Sequence, residues 1–394
     1  MKITPKVARE IYIESLQQDM LSEDACAHIF YSQSMLQYRL DLLRTTFPHT
    51  TLHAIAIKTC SHEAVLAHII AEGFGLEAAS LEEVKLAIHA GANPDKIVFD
   101  SPVKTQKEIT YCHEHLPGIL LNANSIIELE RYPINFSGKI GLRINPLTSS
   151  DSHPLLNVAT THSKFGVPIS DYQAILTAAI KYPQISCLHI HIGSDVDNFD
   201  KNITAIQQLV ILADNINIQR QKLFISSKID TLDIGGGIKF DESTEGLSIQ
   251  TFVDQLVNIP SITNYRLITE YGAFVHQYNS FVVSDIEYVL PNKNGLPTQA
   301  YIHIGADLFL RKVYSSLPIK YPCSVWQQEP NENREKYTIV GPLCFAGDIL
   351  YPEIELPRLK AGDQLVIYNI GANTWSMWSK HCSRIPPPFL FIAK

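Results

Sequence analysis

The feature that most constrains this 394-residue chain is a series of eight short β-rich segments set between helical patterns. They are Leu52–Lys58, Leu76–Ser80, Lys96–Asp100, Gly118–Ala123, Lys139–Asn145, Ile185–Ser194, Ile229–Gly237 and Tyr265–Ala273. The first five begin roughly 21 residues apart, which suits one strand, one helix of three turns and two short loops; the last three are spaced more widely. The segments between them carry their own helix signals. Ser80-Leu-Glu-Glu83, Thr105-Gln-Lys-Glu108 and Ser125-Ile-Ile-Glu128 match the capping box, in which hydroxyl and carboxylate satisfy orphan amides at a helix start. His89-Ala-Gly91 supplies a helix stop, because glycine tolerates the left-handed cap conformation.

Eight βα units in about 250 residues are the size and order of a (β/α)8 TIM barrel. A doubly wound open sheet permits the same alternation, and the repeat number favours the barrel. From about Phe281 the pattern changes to short strands between Pro/Asn-rich turns, at Ser280–Val289, Gln299–Ile304, Tyr337–Val340 and Gln364–Tyr368. The expected organisation is α/β: a lead-in over 1–28, helical from Pro5 to Gln18 and packing on the β domain, a barrel over 29–280, and a C-terminal antiparallel β domain over 281–394. Asn292-Lys-Asn-Gly295 and Glu329-Pro-Asn-Glu-Asn333 read as exposed hairpin loops.

With 45% hydrophobic and 18% charged residues, the chain has the composition of packed domains and not of a disordered polymer. A formal charge of −8 argues against a nucleic-acid or anionic-membrane binder. Apolar stretches such as Val65–Ile70 and Leu209–Ala213 fall far short of the ~18 residues of a membrane span. Lys2, Lys6, Arg9 and Glu10 are followed by no apolar core, so no secretory signal is visible. The seven cysteines are scattered and contain no C-x-x-C pair, which argues against a disulfide framework or a structural zinc and for a reducing cytoplasm.

Barrel enzymes react at the carboxyl ends of their strands. The residues expected there are Lys58, Glu77 and Ser80, Arg143 and Asn145, His191, Gly193 and Ser194, Gly235–Gly237, then Glu270 and Gly272. Burying a lysine, a histidine, an arginine and carboxylates on one rim without a purpose would be costly. Successive glycine amides at 235–237 suit an anion nest after the seventh strand, where this fold places phosphate; an ordinary tight turn is the alternative. Lys58 emerges from the apolar run Ala54-Ile-Ala-Ile57, so a lysine in a barrel mouth faces a phosphate nest. That combination suits a Schiff base to an aldehyde-bearing phosphate cofactor, pyridoxal 5'-phosphate (PLP).

At these positions the chain resembles the PLP-dependent decarboxylases of the alanine-racemase-like fold (fold type III), the group of diaminopimelate and ornithine decarboxylases. The resemblance covers about residues 26–390 and rests on Ala56-Ile-Lys58, Ser163-Lys-Phe-Gly166, His189-Ile-His-Ile-Gly-Ser194, Asp233-Ile-Gly-Gly-Gly237, Gly341-Pro-Leu-Cys344 and Gly371-Ala372. It implies that Lys58 holds the cofactor, that His191 stacks on its ring, and that Ser194 and Gly235, Gly236 and Gly237 bind its phosphate. It implies further that Glu270 lies beside the pyridine nitrogen, with Arg143, Glu77, Gly272 and Asn373 in the cofactor's surroundings. A barrel-core ion pair is the alternative for Arg143. Cys344 matches a cysteine that family members bring from a partner subunit to protonate the product, which implies a homodimer with shared sites. Arg311 and Tyr314 resemble a contact to the substrate carboxylate.

The chain also departs from the family. Strand eight ends Glu270-Tyr271-Gly272-Ala273 where Glu-Pro-Gly-Arg is usual, Asn373 stands where a tyrosine touches the phosphate, and Phe345 replaces the substrate-reading acid after the cysteine. Losing that acid removes the partner of a distal ammonium, worth ~2–5 kcal/mol when desolvated. Trp375 and Trp378 widen or flatten a pocket, or simply pack. The expected activity is decarboxylation of an amino acid, or of an intermediate bearing one, with altered specificity. A catalytically lapsed binding protein and an amino-acid racemase are the alternatives.

Overall fold

Runs such as Leu52–Ala56 and Ile97–Phe99 lack polar alternation, which is the pattern of strands covered on both faces. The computed structural model describes residues 3–148, 153, 156–194, 199–238, 240, 243–244, 246, 248–291, 298–315, 317–327 and 333–394. Its strands are β1 (Ala27–Ser32), β2 (Leu52–Ala56), β3 (Gly75–Ala78), β4 (Ile97–Phe99), β5 (Leu120–Ala123), β6 (Lys139–Asn145), β7 (Val167–Pro168), β8 (Ile185–His189) and β9 (Thr231–Asp233). They continue as β10 (Arg266–Thr269), β11 (Ser280–Leu290), β12 (Thr298–Ile302), β13 (Cys323–Trp326), β14 (Arg334–Val340), β15 (Ile349–Pro357), β16 (Gln364–Tyr368) and β17 (Phe389–Ile392). The helices are α1 (Pro5–Gln17), α2 (Gln33–Thr46), α3 (Glu63–Ala71), α4 (Leu81–His89), α5 (Gln106–His115), α6 (Tyr172–Lys181), α7 (Phe199–Lys222), α8 (Ser248–Val257), α9 (Gly272–His276) and α10 (Leu310–Val313). Among the described residues, no helix is long and apolar enough to cross a membrane.

One compact unit is Arg39–Val275. Here β2, β3, β4, β5, β6, β8, β9 and β10 pair in parallel in that order, and β10 returns to β2, closing the barrel. All eight lie within the expected segments except that β3 begins one residue earlier, at Gly75, and several end earlier: Lys58 sits in a 3-10 turn (Ile57–Thr59) beyond β2, and Ser194 lies past the end of β8. Leu52, Ala54, Val98, Leu120, Cys187 and Ile268 fill the inside near the strand starts, so the barrel is packed and its chemistry is confined to the other end.

The capping signals behave differently at each site. Thr105 and Glu108 form a full capping box. At Ser80, the hydroxyl accepts from Glu83 N–H, while Glu83 reaches back to the Ala79 amide at 2.7 Å. At Ser125 the same exchange occurs, but the segment tightens into a 3-10 turn at Glu128–Arg131 and forms no α-helix. Glu128 has a second task there, an ion pair with buried Lys104 at 3.0 Å.

The other compact unit joins Met1–Tyr38 to His276–Lys394. The divisions expected from sequence fall at 28/29 and 280/281, the compact units divide at 38/39 and 275/276, and β1 belongs to this sheet. Its strands run β13-β16-β11-β12-β14-β15, with β1 paired to β11 and β17. The sheet is mixed: β12–β14 and β1–β17 are parallel and the remaining pairs antiparallel. Strand alternation divides its two faces. Val282, Leu365 and Ile367 join one core, whereas Phe281, Val283, Val366 and Tyr368 join another that includes Ile3, Ala8 and Ile11 around α1. Trp375 and Trp378 pack against the first of these cores. The loop at 292–295 lies outside the described residues, as does that at 329–333 except for Asn333.

Candidate active site

At the carboxyl ends of the barrel strands, the turn after β2 lifts Lys58 out of the wall. Its side chain is 48% exposed, and Nζ lies 2.5 Å from Oε2 of fully buried Glu77 on β3. Partial desolvation opposes the charge on Lys58, but Glu77, Glu270 and Asp100 together outweigh it and hold its pKa above the ordinary lysine value. Burial raises the pKa of Glu77 against the pull of Lys58. The other Glu77 oxygen, Oε1, has no hydrogen-bond partner. The turn itself is fixed by Thr59, whose Oγ1 donates to Ala56 O at 2.6 Å, and by Gly272, where a β-carbon would meet Thr59 Cγ2 at 2.5 Å.

Glu270 follows β10 and is 3% exposed. Burial, with Asp233 beside it, raises its pKa well above the usual carboxylate value. Oε2 lies 3.5 Å from His191 Nδ1, and Oε1 is buried without a hydrogen-bond partner. His191 Nδ1 accepts from Gly236 N–H at 3.2 Å, which places the proton of the neutral ring on Nε2. Burial lowers its pKa well below the usual histidine value, with help from the cations Arg143, Lys58 and His189, so the ring stays neutral.

The glycine run after β9 is required by close packing. A β-carbon on Gly235 (φ +66°) would meet Ile190 O at 2.3 Å, and one on Gly236 would meet Glu270 O at 2.4 Å. Gly235 N–H donates to Asp233 Oδ1 at 3.1 Å and Gly236 N–H to His191, so two of the three amides have acceptors within the protein. Ser194 donates its backbone amide to Leu156 O at 3.1 Å, and Gly193 bridges to Asn157.

Arg143 is an ion-pair residue. Its NH1 lies 2.6 Å from Asp100 Oδ2, both side chains are 6% exposed, and its guanidinium sits 4.4 Å above the Phe165 ring. The sequence reading did not single out Asp100, His189 or Asp233, which form a buried charge cluster beneath Glu270. Their signal lay inside motifs already noted: Asp233 opens the glycine run and His189 is the first histidine of His189-Ile-His191.

In the sheet unit Cys344 is exposed, on a turn from Gly341 to Asp348. Buried Asp348 holds this turn by accepting from Leu343 N–H at 2.8 Å and from Ala306 N–H at 2.6 Å. Phe345 stacks on Tyr314, with centroids 5.1 Å apart at 17°. Tyr314 Oη is 2.5 Å from His381 Nδ1, a partner not expected from sequence. Arg311 lies on the short helix α10, one turn before its C-cap residue Tyr314, and Asn373 adopts a left-handed backbone (φ +56°).

Residues 34–277 match the pyridoxal binding domain of pyridoxal-dependent decarboxylases, and 277–371 match their C-terminal sheet domain. The chain belongs to this family. A diaminopimelate decarboxylase of Zymomonas mobilis is 26% identical over 350 residues, which are 85% of this chain and 79% of that one. Diaminopimelate decarboxylase from Helicobacter pylori, solved with L-lysine, superposes with a TM-score of 0.83 at 24% identity, over 96% of this chain and 94% of that one. An arginine decarboxylase of Paramecium bursaria Chlorella virus reaches 0.82 at 17% identity, over 98% and 100%. The chain is a PLP-dependent amino-acid decarboxylase, a carboxy-lyase.

The residues present fit PLP. A half-exposed lysine amine faces the mouth, a buried carboxylate has an oxygen without a partner, and a β-carbon at 235 or 236 would clash with backbone. These suit an aldehyde, a protonated ring nitrogen and a close approach of backbone to the cofactor.

Proposed function

We propose that this decarboxylase acts on an amino acid whose far end is not a lone ammonium but a planar or anionic group. The observation that carries this reading is the surface beside Cys344. The position after the cysteine is Phe345, stacked on Tyr314, whose hydroxyl is tied to His381. The carboxylates that Tyr314 senses, Asp348 and Asp307, are buried and occupied. Asp348 holds backbone amides, and Asp307 pairs with Arg384 Nε at 2.9 Å. An ammonium tail would meet aromatic faces, the guanidinium of Arg311 and the ring of His381 there, and among the described residues the nearby acids Asp348 and Asp307 are already engaged.

In this reading the Lys58 amine would hold the cofactor, give up that bond to the amine of the substrate, and take it back as the product amine leaves. PLP supplies the sink for the electron pair left behind when the α-carboxylate departs as CO₂. Glu270 keeps a proton on the ring nitrogen, neutral His191 covers the ring, and the glycine run with Ser194 admits the phosphate. Gly272 holds the Lys58 turn in place, while Glu77 and Arg143 set the charge around it, and Asn373 stands at the edge of the site. Cys344 Sγ, from the partner in a homodimer, delivers the proton that replaces the carboxylate. Arg311 and Tyr314 meet the far end of a small soluble substrate. We place the enzyme in the cytoplasm because its seven cysteines are scattered and contain no C-x-x-C pair.

The test is CO₂ release from a panel of amino acids with ammonium, carboxylate and aromatic ends, for wild type and Phe345→Asp. Preference for the carboxylate or aromatic members, reversed toward ammonium in the variant, is expected. Wild-type preference for lysine or ornithine would refute the reading.

A further inference from the structure

His189 ends β8 with a fully buried side chain and faces three carboxylates. Nδ1 lies 3.1 Å from Asp233 Oδ2 and 3.9 Å from Glu270 Oε1; Nε2 lies 3.4 Å from Asp100 Oδ2. Neither ring nitrogen makes a well-aligned hydrogen bond, so the attraction is one of charge. One donor atom each from Asp100, His189 and Glu270 fall within 4.8 Å of one another, a convergence that calls for positive charge at its centre.

We propose that His189 is a positioning residue, a buried imidazolium that favours the ionised form of Glu270 facing the ring nitrogen of the cofactor. The inference rests on the assignment of Glu270 to that nitrogen. The charges around the site support it. Asp100, Asp233, Glu270 and Glu77 bring four carboxyl groups together, and Arg143 is the one cation among them that cofactor binding leaves unchanged. An imidazolium at 189 adds a second positive charge beside Asp100, Asp233 and Glu270. Of the other neighbours, Asn122 donates to Asp233 Oδ2 at 3.1 Å, His191 is neutral, and buried Lys104, which also favours the charge on Asp100, is paired with Glu128 at 3.0 Å. Desolvation opposes a charge on His189, but Asp233, Asp100 and Glu270 outweigh it and raise its pKa well above the usual histidine value. Two histidines in one strand end thus hold opposite states, His189 charged beneath the site and His191 neutral within it.

The first experiment needs no variant of uncertain fold. In 15N-histidine-labelled holoenzyme, both nitrogens of His189 are expected to carry protons from about pH 6 to about 9, where a free histidine titrates or has lost its charge. A bare nitrogen on His189 in that window overturns the proposal. His189→Gln assigns the resonance and gives the second readout. The absorbance of lysine-bound PLP is expected to become pH-dependent across the window, with kcat lower by about 10–100-fold and KM within about 3-fold, the scale for groups that act through a ligand. A pH-independent spectrum with wild-type kcat overturns it. Glu270→Gln separates the two failures: an unaltered Glu270→Gln spectrum sinks the ring-nitrogen assignment, whereas an altered one beside an unaltered His189→Gln spectrum sinks only the role of His189.

Discussion

Gly272 lies so close to Thr59 that a β-carbon on it would fall 2.5 Å from Thr59 Cγ2, which ties the segment after the last barrel strand to the turn carrying Lys58. Gly272→Ala is therefore expected to displace that turn. Overpacking of this kind costs typically ~1–3 kcal/mol, readable in urea unfolding. The absorbance of lysine-bound PLP should weaken alongside it. Unchanged cofactor occupancy in a destabilised variant would show that the turn tolerates the shift.

The pair Lys58–Glu77 sets a pH dependence for cofactor capture. Lys58 must lose a proton before its amine attacks an aldehyde, and its pKa is held high by Glu77, Glu270 and Asp100 against desolvation. Recombination of the apoenzyme with PLP should therefore speed up with rising pH. Removing one opposing charge in Glu77→Gln should move that curve to lower pH by about 1 unit or more. Stopped-flow rates of PLP uptake would reveal the shift, and superimposable curves would deny Glu77 this role.

The proposed sharing of active sites between two subunits predicts rescue between two inactive variants. Lys58→Ala and Cys344→Ala should each lose decarboxylation, Lys58→Ala by about three orders of magnitude or more, as when a covalent nucleophile is removed. Mixed and allowed to exchange subunits, they should recover activity, up to roughly a quarter of wild type for random two-fold hybrids. No recovery despite demonstrated exchange would place Cys344 with its own subunit's lysine or outside the chemistry.

Each compact unit also contains a histidine that folding strips of charge. Burial, aided by Arg44, lowers the pKa of His53 to about 4, and burial lowers that of His276 to about 3, from 6.5. Below 6.5 the unfolded chain binds these protons first, so stability is fully present above that pH and falls as pH drops toward 4 and 3. Urea midpoints should decline from neutral to mildly acidic pH, and His53→Asn or His276→Asn should flatten the slope even if it lowers the plateau. Parallel slopes would assign the acid sensitivity to other groups.

Much of the rim at the carboxyl ends of the barrel strands was legible because its parts sit in short local motifs. Lys58, His191, the run at 235–237 and Glu270 each fall just beyond a barrel strand, and the period of the strands placed them at one end. The cluster of Asp100, His189 and Asp233 was not, since its contacts join three separate strand ends that no local pattern links. The tie between Tyr314 and His381 spans 67 residues and has no period to announce it. Among the elements, β13 and β15 were not anticipated, and Pro352 and Pro357 break the strand pattern of β15. At Ser125 the capping signal was real, but Glu128 also answers Lys104 and the segment tightens into a 3-10 turn.

The pairing of β1 with both β11 and β17 has a consequence for synthesis. On the ribosome every staff of the cylinder, from Leu52 to Thr269, is translated before either neighbour of β1 exists. The cylinder can therefore mature while the first strand still waits with both edges bare, a template for stray pairing until Phe389–Ile392 arrives. Vectorial growth thus leaves the earliest-made strand among the last to be secured.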